Sequence, residues 1–199
     1  MAGYMAHWLL VAALTASSQT LGMTQLNEAA ELEAFTARLD IYVEVHRRVE
    51  GPLPPLKAGK DMAEVFRLMA KLRGRIRAER RDHPQQPLVT PGMAIVLRNV
   101  VGRTLRIADL VDLDQELFEH TPTSMSPVCV NDQLPEGAPF VMIAPQLLQA
   151  LPPLPPELRY IALSRTLVIW DHHADLVVDV VPGLFDPKTY EKKTGTECE

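Results

Sequence analysis

LPPLPPELRYIALSRTLVIWDHHADLVVDVVPGLF, residues 151–185, is the most strongly patterned stretch of the chain. The four prolines at its start, Pro152, Pro153, Pro155 and Pro156, cannot sit inside a helix, so the lead-in is extended. A rigid connector feeding a strand is the expected role, with a PxxP recognition segment as the alternative. Arg159–Leu163, Leu167–Asp171 and Leu176–Val181 then read as three strands, joined by turns at Ser164–Thr166 and His172–Asp175. Connections this short force antiparallel neighbours. Leu167–Trp170 is apolar at every position, as in a central strand covered on both faces. In the last strand Leu176, Val178 and Val180 are expected to share one face, with Asp179 interrupting the other.

The second turn carries the only clustered candidate ligands, Asp171, His172, His173 and Asp175. Imidazole and carboxylate together suit a divalent transition metal such as Ni, Co, Zn or Cu. Against that, adjacent histidines in a strand-like segment point oppositely. One turn also falls short of a closed three- or four-ligand site. A polar, solvated turn is therefore the competing expectation.

Upstream of the connector, Pro145–Leu151 can form a short helix with proline in its first turn. Thr121–Pro139 reads as a connecting region, with Val128, Cys129 and Val130 as a short strand and Asn131–Gly137 as a turn.

The N-terminal two-thirds has helical periodicity. Leu32, Phe35, Leu39, Tyr42, His46 and Val49 step by three and four, placing one stripe on a helix over about 27–49 that Gly51 and Pro52 end. His46 lies on that stripe, and a packed, hydrogen-bonded histidine is expected there ahead of a ligand or catalytic base. A second helix starts at Asp61, with Asp61 and Glu64 at capping-box spacing and Met62, Val65, Met69, Leu72 and Ile76 as its stripe. Two such helices joined by a short proline-bearing linker suggest an antiparallel hairpin. The second ends in Lys71, Arg73, Arg75, Arg77, Arg80 and Arg81. With Glu79 and Asp82 interleaved, these are expected to be solvated cations at a helix C-terminus. The alternative is a patch for phosphate, lipid headgroup or an acidic partner. Thr90 and Pro91 read as N-cap and first position of a third helix reaching about Arg106, with a break possible at Gly102. Ile107–Phe118 continues the pattern. Asp112 and Asp114 there lack the glycine and terminal glutamate of a calcium loop.

Met1–Gln19 has an apolar run, Trp8–Ala16, followed by Ser17 and Ser18. That is the pattern of a secretory signal peptide, although no Lys or Arg precedes the run. The run is shorter than the roughly 20 apolar residues a membrane span needs. The whole chain has 199 residues and a net charge of -5, which offers no basic footprint for nucleic acid. Cys129 and Cys198 lack CxxC spacing, so a structural zinc site is not expected. Cys129 is expected to be buried and Cys198 a free tail thiol, with one disulfide as the alternative in an exported chain. No GxSxG elbow, P-loop or GxGxxG motif is present, and Ser124 or Ser164 could be paired with a histidine only on paper.

The succession of a short helix, LPPLPPELRY, a tight turn, LVIWD, a second turn and LVVDVVP over Ala144–Leu184 resembles an uncharacterised group of exported bacterial proteins. More distantly it is similar to the C-terminal module of periplasmic proteins of the RcnB/CigR type. In those proteins a glycine usually sits in the first turn, where this chain has Ser164. The resemblance implies a periplasmic setting and a distant link to nickel and cobalt homeostasis. It carries over no catalytic residue, and the helical hairpin has no counterpart in it.

Together these readings give an α+β protein: an N-terminal helical hairpin plus further helices packed on a small C-terminal antiparallel β-meander. The expected organisation is a leader over 1–19, a helical region over 20–120, an α/β region over 121–186 and a mobile tail over 187–199. The expected function is that of a periplasmic or secreted, non-enzymatic binding or scaffolding protein, with a protein partner on the helical region, no nucleic acid and no membrane span once the leader is cleaved. Metal handling at the Asp171–Asp175 turn is the second expectation, and a hydrolase the third.

Overall fold

The computed structural model describes residues 6–54, 61–120, 128–135 and 143–190, and for 6–26, 117, 118 and 120 the backbone alone. The chain is α+β, with five α-helices and a three-stranded antiparallel sheet among the described residues.

Helix α1, Ala6–Glu50, begins well before the expected start near Asn27 and takes in most of the expected leader. Its stripe is as expected: Phe35, Leu39, Tyr42 and His46 are buried, with Leu32 and Val49 packed against the same core. Helix α2, Met62–Asp82, is capped by the Asp61 carboxylate, which accepts the Ala63 N–H. Arg80 of α2 lies over the Tyr42 ring of α1, and Arg75 donates to the Val49 carbonyl. Ascending positions on one helix thus meet descending positions on the other, which makes the pair an antiparallel hairpin. The α2 stripe is covered increasingly toward its C-terminal end, with Val65 and Met69 half-buried. Leu72 and Ile76 are buried, whereas Met62 and Phe66 are exposed.

Thr90 caps α3, Pro91–Thr104, through the Met93 N–H. The chain breaks at Leu105 and Arg106, not at Gly102, before α4, Ile107–His120. Gly102 serves packing instead. A Cβ there would lie 3.1 Å from the Tyr190 ring, whose hydroxyl donates to the Leu184 carbonyl. Pro187–Thr189 forms a 3₁₀ turn within the span expected to be a mobile tail, and Pro187 is buried. Cys198 and the rest of the tail lie outside the described residues, as does Ser124. Helix α5, Pro145–Ala150, is the short helix before the connector.

The meander is β1, Leu158–Leu163; β2, Thr166–Asp171; and β3, Leu176–Val181, in the order β1-β2-β3. The central strand is covered on both faces. Leu167 and Ile169 join the main helical core, and Val168 joins a smaller cluster with Leu134, Ile161, Leu163 and Val177. One expectation for β3 needs correcting. The pairing runs Ile169↔Asp179 and then Trp170↔Val177, so a bulge intervenes. It turns Val180 away from Leu176 and Val178 and sends Val181 into the main core in its place. Asp179 is buried as a result, and its carboxylate accepts the Val89 and Val180 N–H groups. Burial raises its pKa, an effect that these hydrogen bonds and Arg80 only partly offset.

Val128–Val130 is not a strand, and Cys129 is exposed rather than buried. Its N–H is held by the Asp132 carboxylate, and the Asp132 N–H returns to the Cys129 carbonyl, which closes a turn. The next step of chain covers the outer edge of β3: Asn131 donates to Val177, and Val177 to Asp132.

Ser164, in the first turn, has φ 52°. A left-handed backbone is costly for a residue with a Cβ and nearly free for glycine. Ser164→Gly is therefore expected to stabilise the fold by up to about 1 kcal/mol, read as a rise of about 2–4 °C in melting temperature. An unchanged or lower midpoint would show that the serine carries no strain.

Candidate functional site

Tyr42, His46 and Glu50 are spaced by four and stand one above another on the last turns of α1. They face the end of β2 and the turn His172–Asp175. Asp171, the last residue of β2, is fully buried, and all four of its contacts are inside the protein. One carboxylate oxygen accepts the Tyr42 hydroxyl at 2.7 Å and lies 2.6 Å from His46 Nδ1. The other accepts the N–H groups of His173 at 3.1 Å and Ala174 at 3.0 Å, which pins the turn. Asp171 thus joins a helix to a turn far along the chain, with no lone pair to spare for a metal.

Beyond His46 the network opens outward. His46 Nε2 lies 3.0 Å from one oxygen of Glu50, and His173 Nδ1 lies 3.1 Å from the other. The Glu50 and His173 side chains are 32% and 34% exposed, so solvent reaches this end and not the other. Burial works against a charged His46, but the hydrogen bond and charge of Asp171, followed by Glu50, outweigh it and raise its pKa. Burial and the neighbouring Asp171 push the Tyr42 phenol well above its ordinary value. Glu157 is buried beside this network, and the ion pair with Arg47 outweighs burial to hold its pKa low.

The four residues of the turn do not converge. His172 turns back to the connector, with Nε2 2.8 Å from the Pro156 carbonyl. Asp175 accepts the Trp170 indole N–H at 3.2 Å and faces Arg73 at 3.4 Å. Only His173 reaches the open end of the network, with Asp171 behind it. The partners supplied by α1 were the missed part. The signal for them was the i, i+4 pair His46 and Glu50, beside the stripe.

The basic end of α2 serves the fold. Arg73 donates to the Ala174 and Asp175 carbonyls, Arg77 to Asn131 and Arg80 to Val178, while Arg80 also lies over the Tyr42 ring at 5.8 Å. These side chains are half-buried clamps on backbone carbonyls rather than a solvated last turn; Arg81 alone of the arginines named remains exposed.

On the other side of the turn lies a half-open groove of about 580 Å³ between the connector and the first two strands. Ile143, Leu148, Leu154 and Trp170 give it an apolar wall, and Arg159, Tyr160 and His172 are its ionisable groups among the described residues. The edge of the His172 ring meets His173, centroids 4.6 Å apart, so groove and network share the turn.

No protein-family model matches the chain, and neither a curated protein nor a solved structure matches it. The chemistry of the two adjoining sites therefore carries the functional reading.

Proposed function

We propose that the chain is an exported, non-enzymatic binding protein that takes a small apolar carboxylate in the groove beside β1. The carrying observation is the composition of that groove. About 580 Å³ falls in the size range of small-molecule sites, and a mostly apolar wall with few polar groups is what such sites share. Among the described residues no acidic side chain lines it. Arg159 projects from β1 opposite Trp170 and makes no ion pair with any described residue. A guanidinium at an apolar wall suits a planar carboxylate carried on a hydrocarbon body. The apolar leader over 1–19 and the resemblance of Ala144–Leu184 to exported proteins support a periplasmic or secreted setting. Among the described residues no helix is long and apolar enough to cross a membrane.

Decanoate is a suitable probe, followed by calorimetry and by the fluorescence of Trp170, which lines the groove. The expected result is saturable binding that Arg159→Glu weakens at least tenfold, while decanol binds wild type and variant alike. Absence of heat and of any fluorescence change up to millimolar decanoate would exclude this reading.

A further inference from the structure

We infer that the open end of the buried network, His46, Glu50 and His173, is a binding site for a divalent transition metal ion. One potential ligand atom from each residue lies within 4.8 Å of those of the other two. Ions of the zinc type hold nitrogen and oxygen ligands at about 2.0–2.2 Å, which sets tetrahedral ligand atoms roughly 3.3 Å apart. The Glu50 oxygens already stand 3.0 and 3.1 Å from the two ring nitrogens. A shift of the half-exposed His173 ring is all that closing the set requires.

Two further observations separate this cluster from a chance grouping of polar side chains. His46 is completely buried, and its Nδ1 is engaged by a carboxylate whose every other contact is internal. That arrangement fixes the ring and its tautomer and leaves Nε2 facing the other two groups, as the supporting carboxylate does for a metal-bound histidine. Glu157 acts electrostatically on His46 and keeps one buried oxygen without a hydrogen-bond partner among the described residues. A buried carboxylate within electrostatic reach of that imidazole favours an added positive charge at the site.

Two imidazoles and one carboxylate select zinc, nickel, cobalt or copper over calcium and magnesium, which prefer all-oxygen shells. With three protein ligands, one coordination position at least stays open to solvent on the exposed side. The metal site lies across the shared turn from the groove and stands or falls separately from it. It also differs from a site within the turn itself, since His172 and Asp175 are committed elsewhere.

The test is titration of the full, chelator-treated chain with Zn²⁺, Ni²⁺ and Co²⁺, and with Ca²⁺ for comparison, by calorimetry and by the visible spectrum of Co²⁺. One equivalent is expected to bind. Glu50→Gln and His173→Ala, both at half-exposed positions that leave the core intact, should each weaken binding at least tenfold. His172→Ala and Asp175→Asn should leave it within twofold, and Arg159→Glu should leave it unchanged. Binding that survives both Glu50→Gln and His173→Ala, or that His172→Ala removes instead, overturns the assignment. So does the absence of binding in a wild-type chain whose circular dichroism shows the native fold.

Discussion

Asp171→Ala is expected to lower the free energy of unfolding by about 3–5 kcal/mol, the cost of removing one partner from a buried charged network. For a chain of this size that corresponds to a fall of roughly 10 °C in melting temperature. The magnitude follows from what the carboxylate holds. Without it the Tyr42 hydroxyl, the Nδ1 of a fully buried His46 and the N–H groups of His173 and Ala174 all lose their acceptor at once. The Tyr42, His46 and Ala174 bonds are buried, so each of those losses is a desolvation cost with no compensating bond. The turn would also lose the bonds that set the direction of His173. Asp171→Asn keeps one carbonyl oxygen and should cost less, because either the turn or the α1 pair can still be served. Asp175→Asn is the control. Its carboxylate is part-exposed and Arg73 also binds the neighbouring carbonyls, so a loss below about 1 kcal/mol is expected. Urea denaturation of the three variants gives the ranking. A midpoint for Asp171→Ala within the range of Asp175→Asn would show that the network contributes little to the fold.

The difference between Asp171 and Asp175 marks where the sequence stopped being legible. The meander could be placed to within a residue or so because its determinants are local: apolar runs, tight turns and prolines. Thr90 and Asp61 announced two helix starts for the same reason. The bulge in β3 was hidden, since nothing in LVVDVV distinguishes a continuous strand from one with an extra residue. It brings Asp179 to the Val89 N–H, a partner far away in sequence. The arginines of α2 were equally unreadable. Their spacing suits a solvated face, and only the position of the sheet turns them into clamps on Ala174, Asn131 and Val178. For the same reason the histidine turn looked self-contained. Its neighbour Asp171 is satisfied by α1, and the candidate site assembles only when a helix residue, His46, meets a turn residue, His173.

Metal should stabilise the native chain and do so through that meeting point. A ligand that binds only the folded state adds about 2.7 kcal/mol at a hundredfold excess over its dissociation constant. Zn²⁺ at that excess is thus expected to raise the melting temperature by roughly 5–10 °C, and a chelator to reverse the shift. His173→Ala should abolish the shift while leaving the metal-free midpoint nearly unchanged, because its side chain is a third exposed and bonds only Glu50. The proton provides an independent check of opposite sign. His46 has a folded pKa above its unfolded value near 6.5, chiefly through Asp171 once burial is overcome. In the metal-free chain its charged form therefore contributes stability that is complete below about pH 6.5 and fades as pH rises through the folded value. A metal needs Nε2 unprotonated, so its contribution must grow over that same interval. Melting curves taken with Zn²⁺ and with chelator should consequently separate as pH rises. Curves that stay parallel from acid to alkaline pH, or a Zn²⁺ shift that persists in His173→Ala, would place the ion on other residues. The clasp between α1 and the turn would then be a purely structural one.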